Sequence, residues 1–318
     1  MNEFVQGERA VVDAVGETFD KVTPLIVEGP LPMPIFCSQE SLRVFEPLLG
    51  TAPAGIDRYL LLEFSGVWPA KAWPGVDVPA VVREHVDAAL AAVPRCRLQI
   101  VRQHRAQPEG VWLAIADLRH GGVRRWQLDS YETLLELDLV EALTAPVEGG
   151  AALWLTCTHS RRDRCCAKWG LPVQAALRDC AGDDAWQASH VGGHRFAPNV
   201  LLLPHGIMLG RVGPANVPEV FAAVASGGLP PLRFWRGRTC LAPHVQAAEI
   251  LARQAELRLD FGAPDVVEDE LEGAIRRVTL RFGEEVRTIR LQSRRLLPLA
   301  KSCGEEPVSL DGWAAALP

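Results

Sequence analysis

The fold is decided by the stretch Ala152-Leu-Trp-Leu-Thr-Cys-Thr-His-Ser-Arg-Arg-Asp-Arg-Cys-Cys166. Residues 152–156 predict a buried strand, because four of the five are apolar, and this strand runs directly into Cys157. Beyond the polar turn that ends at Cys165 and Cys166, Pro172 predicts the start of a helix over residues 173–178. The ends of strands and the starts of helices are where α/β folds place ligands. The stretch therefore predicts an α/β fold with a cysteine pair at a ligand-binding edge.

Strands alternate with helices along most of the chain, which is typical of α/β proteins. Apolar runs predict strands at residues 58–64, 97–101, 111–117, 124–128 and 199–203. Capping residues followed by apolar periodicity predict helices that begin at Ser38, at Asp77 with Pro79 in the first turn, and at Asn216. An opening amphipathic helix is predicted by Val12, Val15, Phe19 and Val22. The similar order of elements in the two halves predicts two related domains.

This order divides the chain into four segments. We expect an N-terminal helix and linker over residues 1–34, a first domain over 35–147, a second domain over 148–227 and a C-terminal extension over 228–318. The linker contains Gly29-Pro-Leu-Pro-Met-Pro34, which cannot continue a helix. The extension is expected to be α+β, because residues 244–257 predict a helix and two strands around Gly283 predict a β-hairpin.

The composition of the 318-residue chain is that of an ordinary globular protein, with 48% hydrophobic and 23% charged residues. A net charge of −6 disfavours binding to nucleic acid, which needs a basic surface. No apolar run is long enough to cross a bilayer, and the first residues lack the pattern of a signal peptide. We therefore expect a cytoplasmic protein, in which the eight cysteines are thiols or metal ligands rather than disulfides.

A second group of metal-ligand residues lies in Ser189-His-Val-Gly-Gly-His194. Two adjacent glycines disfavour a helix, since each lowers helix stability by roughly 1 kcal/mol relative to alanine. A tight loop would instead fold both imidazoles, those of His190 and His194, back onto one metal centre. Val191 occupies the position at which zinc proteases carry a catalytic glutamate, so we do not expect zinc hydrolysis. Two thiolates and two imidazoles thus predict a four-ligand metal site.

These motifs resemble the sucrase/ferredoxin-like family. The resemblance is carried by two cysteines with eight residues between them and by the segment from Ser189 to Pro204. Shorter similar segments begin at Cys37, Glu46, Trp235 and Ser302. The resemblance implies thioredoxin-like domains, here two in tandem, and a 2Fe-2S cluster held by two cysteines and two histidines. Carried over to this chain, the ligands are Cys157, Cys166, His190 and His194. Ordinary thioredoxin-like ferredoxins have a Cys-x3-Cys pair in place of the two histidines.

The two histidines imply an electron-transfer protein of higher potential than an all-cysteine ferredoxin. In Rieske centres the same replacement moves the potential from about −400 mV to between roughly −150 and +300 mV. An imidazole that loses its remaining proton also couples reduction to protonation. The alternative is a zinc-stabilised binding or scaffold protein, because two cysteines with two histidines are also a common zinc set.

Other functions find less support in the sequence. No Cys-x-x-Cys motif indicates a thiol oxidoreductase, and no pair of carboxylates indicates a glycosidase or any other hydrolase. No nucleotide-binding glycine fingerprint is present, so we expect a partner protein or a small molecule to supply the electrons. No catalytic residue is assigned, and whether the protein is the redox module of an oxidoreductase stays open.

Several residues near the ligands allow two interpretations each. Cys165 competes with Cys166 as the second thiolate, and only the family spacing favours Cys166. His159 either hydrogen-bonds beside the centre or is exposed, whereas Arg195 either stabilises the reduced centre or is solvated. Asp163 and Arg162 either form a local salt bridge or turn cap or support the ligands from beside the centre, and Cys37 is expected to be structural. Trp154, Trp169 and Trp186 either shield the centre from water or are ordinary core residues.

Overall fold

The structure is a computed structural model that describes residues 36–103, 110–255 and 262–316. The expected N-terminal helix around Val12 and Phe19 lies outside these residues. Up to residue 144 the elements are α1 (Cys37–Arg43), β1 (Arg58–Glu63), α2 (Ala80–Ala92), β2 (Cys96–Arg102), β3 (Val111–Asp117), β4 (Gly122–Leu128) and α3 (Leu139–Thr144). They are followed by β5 (Leu153–Cys157), α4 (Arg164–Ala181), β6 (Ala185–Ala188), β7 (Asn199–Leu203), β8 (Ile207–Gly210), α5 (Val217–Ala225), β9 (Trp235–Arg238) and α6 (Pro243–Ala255).

Shorter helical segments connect these elements. A single helical turn lies at Ala72–Gly75, and 3-10 turns lie at Glu132–Glu136, Gly182–Asp184, His194–Phe196, Pro214–Asn216 and Leu232–Phe234. In the segments that the structure describes, no helix combines the length and the apolar character needed to cross a membrane.

The first nine strands form one mixed sheet in the order β4-β3-β1-β2-β6-β5-β7-β8-β9. In the first half, β1 pairs parallel with β2 and antiparallel with β3, and β3 pairs antiparallel with β4. In the second half, β5 pairs parallel with β6 and antiparallel with β7, and β7 pairs antiparallel with β8. The two halves join where β2 and β6 pair antiparallel, with Val101 opposite Ala188. The similar element order expected from the sequence is therefore present as a repeated pattern of strand pairing.

Both faces of the sheet are covered, which explains the continuous apolar runs in its strands. Alternate residues of β1 belong to different cores: Leu60 and Leu62 pack with α2, whereas Leu61 belongs to a core that both halves share. In that shared core the indole of Trp112 from β3 stacks on Trp186 from β6, with ring centroids 4.1 Å apart. Because β5 contributes to the shared core, its last residue lies at the edge of a well-packed layer.

The C-terminal region forms a second, four-stranded antiparallel sheet. Its strands are β10 (Asp265–Glu272), β11 (Ile275–Phe282), β12 (Glu285–Arg295) and β13 (Asp311–Ala315), in that order. The predicted hairpin is confirmed, because β11 and β12 pair antiparallel across Gly283, which has φ 59°. The expected helix over residues 244–257 corresponds to α6, and its alanines pack against the apolar side chains of β11.

Three helix starts differ from those predicted. α1 begins after Phe36, so Ser38 lies inside the helix and its hydroxyl contacts the sulfur of Cys165 instead. α2 begins after Pro79, and Asp77 does not cap it. The predicted helix start at Pro172 is wrong, because α4 already starts at Arg164 and carries the proline in its interior. The helix starts earlier because Asp163 caps it. The apolar periodicity that predicts a helix lies beyond Pro172 and gives no sign of this earlier cap.

Candidate metal centre

The junction between β5 and α4 brings Cys157 and Cys166 together. Cys157 is the last residue of β5, Cys166 lies in the first turn of α4, and both are buried. The carboxylate of Asp163 caps the helix by accepting the backbone N–H of Cys165 at 2.8 Å, as expected for a turn cap. Gly170 lets α4 pack against the strand end, because a Cβ at this position would lie 2.1 Å from the carbonyl oxygen of Cys157.

The segment with the two histidines is a tight loop rather than a helix, as predicted. Gly192 has φ 108°, and Gly193 has φ 69° and ψ 56°, which is the left-handed region. His190 precedes this turn, and His194 begins the 3-10 segment that follows it. The turn thereby directs the two imidazoles toward each other, with ring centroids 5.0 Å apart.

Arg236 holds this loop in place from the neighbouring strand β9. Its guanidinium is buried, and Nη1 donates to the carbonyl oxygen of Gly192 and to Oδ1 of Asn199, both at 2.9 Å. The amide of Asn199 in turn donates to the carbonyl oxygen of Gly193 at 2.9 Å. Arg236 belongs to the family-like segment that begins at Trp235, but nothing in the sequence of that segment predicts this role. Its burial is visible only in the structure, where a buried arginine needs several acceptors.

Three of the four predicted ligands converge closely. The sulfur of Cys166 lies 3.7 Å from Nδ1 of His190, and the sulfur of Cys157 lies 3.9 Å from the same atom. These three donor atoms all lie within 4.8 Å of one another, so this group could hold a metal ion. His194 stands beside the group rather than inside it, in contact with the ring of His190.

The hydrogen bonds of His194 leave one ring nitrogen for a metal. Its Nε2 lies 2.8 Å from the hydroxyl oxygen of Ser302, whereas its buried Nδ1 has no hydrogen-bond partner among the described residues. A buried polar atom without a partner is rare in folded proteins. Coordination of a metal by Nδ1 would satisfy it, so the donor set fits the predicted centre.

The surroundings favour the metal-binding protonation state at Cys157 and His194, whereas the hydrogen bond to Cys157, together with burial, raises the pKa of Cys166 and favours its thiol. A hydrogen bond from the Cys166 thiol lowers the pKa of Cys157 well below its ordinary value, in opposition to burial and with help from His190. Burial lowers the pKa of His194, which keeps this imidazole neutral. A thiolate and a neutral imidazole are the forms that bind metals, so little proton release would accompany binding at these two residues.

Two residues beside the ligands have partners that define their roles. His159 is buried rather than exposed; its Nε2 lies 2.8 Å from the carbonyl oxygen of Pro69, and its Nδ1 accepts the backbone N–H of His190 at 3.2 Å. It therefore positions the backbone of a predicted ligand. Arg195 is half-buried and is directed away from the centre, because its Nε donates to the buried carboxylate of Glu46 at 2.8 Å.

Cys165 belongs to a different group of residues. Its sulfur lies 3.5 Å from that of Cys37 and 3.4 Å from that of Cys303, and Asp163 lies beside all three. Cys166 rather than Cys165 therefore lies next to Cys157. The separation of Cys37 and Cys303 along the chain gives no hint that they meet.

The three tryptophans divide between the core and this second group. Trp186 stacks on Trp112, and Trp154 packs against the ring of Phe221, so both are core residues. Trp169 packs instead beside Cys37 and Cys165.

Comparison with known proteins gives one match. A family model described as sucrase/ferredoxin-like matches residues 48–237, which is more than half of the chain and includes all four predicted ligands. No curated protein and no solved structure gave a match. The chain therefore belongs to the sucrase/ferredoxin-like family.

Proposed function

We propose that this protein is an electron carrier with a 2Fe-2S cluster bound by Cys157, Cys166, His190 and His194. The observation that carries the proposal is the convergence of the donor atoms of Cys157, Cys166 and His190, next to which the buried Nδ1 of His194 lacks a hydrogen-bond partner within the described residues. Membership in a family named for its likeness to ferredoxins supports the same conclusion.

The position of His194 is what favours two metal atoms over one, because the separations of the Cys166 and Cys157 sulfurs from Nδ1 of His190, 3.7 Å and 3.9 Å, also suit a single ion. A single tetrahedral zinc ion, with bonds of about 2.0–2.3 Å, places its four donor atoms roughly 3.3–3.8 Å apart. The nitrogen atoms of His194 do not fall within the group of Cys157, Cys166 and His190, whose donor atoms all lie within 4.8 Å of one another. A 2Fe-2S cluster divides its ligands between two irons and therefore accepts a wider set.

The protein residues would set the electronic and protonic properties of the centre. When bound, the cluster supplies a site for one-electron transfer. Two neutral imidazoles in place of two thiolates remove two negative charges, which favours uptake of an electron. The hydroxyl of Ser302 holds Nε2 of His194 and fixes the orientation of its ring. His190 is half-buried, whereas His194 is buried, so His190 is the more exposed of the two predicted imidazole ligands.

The repeated strand pairing supports two thioredoxin-like domains over residues 35–147 and 148–227. In this scheme β1 of the first domain corresponds to β5 of the second. β5 ends at the predicted ligand Cys157, whereas β1 ends at Glu63. The carboxylate of Glu63 accepts the backbone N–H of Trp112. The first domain would then be a copy without a cluster, and it contributes the β2 edge on which the second domain builds.

A cleft beside His190 is the route by which we expect electrons to arrive. Its volume is about 350 Å³, and it is lined by His159, His190 and the side chains of Lys71, Arg97 and Arg162. Among the described lining residues, three are cationic and none is acidic. A redox partner with an acidic surface, or a small anionic reductant, is complementary to this cleft.

Ligand substitution tests the proposal. Anaerobically purified protein should be coloured, and Cys157→Ala should lose its iron and its visible absorption. His190→Cys and His194→Cys should keep a cluster but lower its potential by on the order of 100 mV or more, because each restores a thiolate. Cys96→Ser is the matched control, since Cys96 lies in β2 outside both cysteine groups. A colourless protein that contains zinc, and loses it in Cys157→Ala, would establish the zinc-stabilised alternative instead.

A further inference from the structure

A second group of thiols lies outside the centre described above. Cys37 is the first residue of α1, Cys165 lies in the first turn of α4, and Cys303 follows β12. Their sulfur atoms are separated by 3.5 Å (Cys37 to Cys165), 3.4 Å (Cys165 to Cys303) and 3.7 Å (Cys37 to Cys303). Oδ1 of Asp163 lies 3.1 Å from the sulfur of Cys303 and 3.9 Å from that of Cys37.

These distances match a single tetrahedral ion. Zinc–sulfur bonds of about 2.3 Å at tetrahedral angles place sulfur atoms roughly 3.8 Å apart, and a zinc–oxygen bond of about 2.0 Å places the oxygen roughly 3.5 Å from each sulfur. The three sulfur–sulfur separations, 3.4 Å, 3.5 Å and 3.7 Å, are slightly shorter than the sulfur–sulfur distance expected around zinc. The two oxygen–sulfur distances, 3.1 Å and 3.9 Å, lie on either side of the expected oxygen–sulfur distance.

We propose that Cys37, Cys165, Cys303 and Asp163 bind a zinc ion in a structural site separate from the cluster. Three thiolates and one carboxylate form a closed tetrahedral set, and soft thiolate ligands in this geometry select zinc. The four donors surround one point, whereas an iron–sulfur cluster spreads its thiolates over two or more irons. The rings of Phe36 and Trp169 pack beside the sulfurs and give the site an apolar surround.

A zinc ion here would tie together three segments that are far apart in the sequence. α1, the start of α4 and the loop after β12 meet only through tertiary packing, and Asp163 already joins two of them by accepting the backbone N–H groups of Cys165 and Cys303. The family match over residues 48–237 includes neither Cys37 nor Cys303. The site therefore does not depend on the proposed electron-transfer function.

The two sites are nevertheless neighbours. Oδ2 of Asp163 lies 3.7 Å from Nε2 of His194, and Ser302, which hydrogen-bonds that same nitrogen, precedes Cys303. A zinc ion that fixes Asp163 and Cys303 would therefore also fix the groups that orient His194. Loss of zinc should shift the potential of the cluster without removing its iron.

Zinc and iron content of the full chain, purified from cells supplied with both metals, tests the proposal. The wild type should contain one zinc ion per chain in addition to its iron. The double variant Cys37→Ser, Cys303→Ser should lose the zinc and keep its visible absorption, whereas Cys157→Ala should lose iron and keep zinc. Cys180→Ser, which changes a cysteine of the same helix as Cys165, should keep both metals.

Three results would overturn the zinc site. They are a wild type that binds no zinc, zinc that persists in the double variant, and zinc that is lost in Cys157→Ala. The last would place the ion at the first centre and would count against the proposed cluster rather than for a second site.

Should the double variant fail to fold, Co²⁺ exchanged into the wild type provides the test. Thiolate charge-transfer bands with the strong d–d absorption of tetrahedral cobalt are expected, and their absence would refute the assignment.

Discussion

Gly193 offers a sharp test of how the histidine loop is held, through the substitution Gly193→Ala. The residue adopts a left-handed conformation, and a Cβ here would lie 2.3 Å from Nη2 of Arg236 and 2.9 Å from its Cζ. An alanine must therefore both accept an unfavourable backbone conformation and displace a buried guanidinium. That guanidinium holds the loop by donating to Gly192 and Asn199.

The expected loss of stability follows from these two effects. A left-handed conformation destabilises alanine by roughly 1–2 kcal/mol. A hydrogen bond that involves a charged group contributes about 1.5–3 kcal/mol, so loss of one such bond of Arg236 brings the total to about 2.5–5 kcal/mol. Gly227→Ala is the matched control, because Gly227 has φ 79° but open space where the Cβ would lie. It should lose only the backbone contribution of roughly 1–2 kcal/mol.

Thermal unfolding and iron content measure the two consequences. Gly193→Ala should unfold at a lower temperature than Gly227→Ala and should retain less iron, because displacement of Arg236 moves the backbone between the two histidines. Equal unfolding temperatures and full iron content in both variants would refute the role assigned to Arg236.

Two further predictions concern titratable groups, the buried Glu249 and the half-buried His205. Buried Glu249 accepts hydrogen bonds from Nε of Arg238 at 2.9 Å and from Nε of Arg253 at 3.0 Å. Glu249→Gln should therefore lower the free energy of unfolding by about 3–5 kcal/mol. An unfolding midpoint equal to that of the wild type would contradict this. Burial, together with the charge of Arg238, lowers the pKa of His205 to about 4. The unfolded chain binds this proton near pH 6.5, whereas the folded protein binds it only near pH 4. Acidification from pH 6.5 toward pH 4 therefore lowers the free energy of unfolding, by about 2 kcal/mol between pH 7 and pH 5. His205→Gln should thus lose less stability on acidification, and a loss equal to that of the wild type would show the cause to lie elsewhere.

The sequence predicts those parts of the fold that local pattern determines. The strands β3 and β7 have the bounds that their apolar runs predict, because turn residues bracket runs that are buried on both faces. The loop between His190 and His194 is predicted for a similar reason, since two adjacent glycines leave few alternatives. In contrast, Pro172 misplaces the start of α4, because a proline inside a helix and a proline in its first turn look alike in the sequence.

What the sequence does not predict depends on packing between distant segments. Cys37, Cys165 and Cys303 meet because α1 and the loop after β12 both pack on the start of α4, and no spacing rule connects three such positions. The role of Arg236 is hidden in the same way, since its acceptors come from Thr51, from the histidine loop and from β7. Chemistry-bearing residues can therefore be recognised in the sequence before their grouping can.

The count of iron and acid-labile sulfide per chain, in protein purified without oxygen, tests the central claim most directly. The account predicts two irons and two sulfides per chain in the wild type, with both absent from Cys157→Ala and both present in Cys96→Ser. Iron without sulfide, or zinc at Cys157 in place of iron, would contradict it.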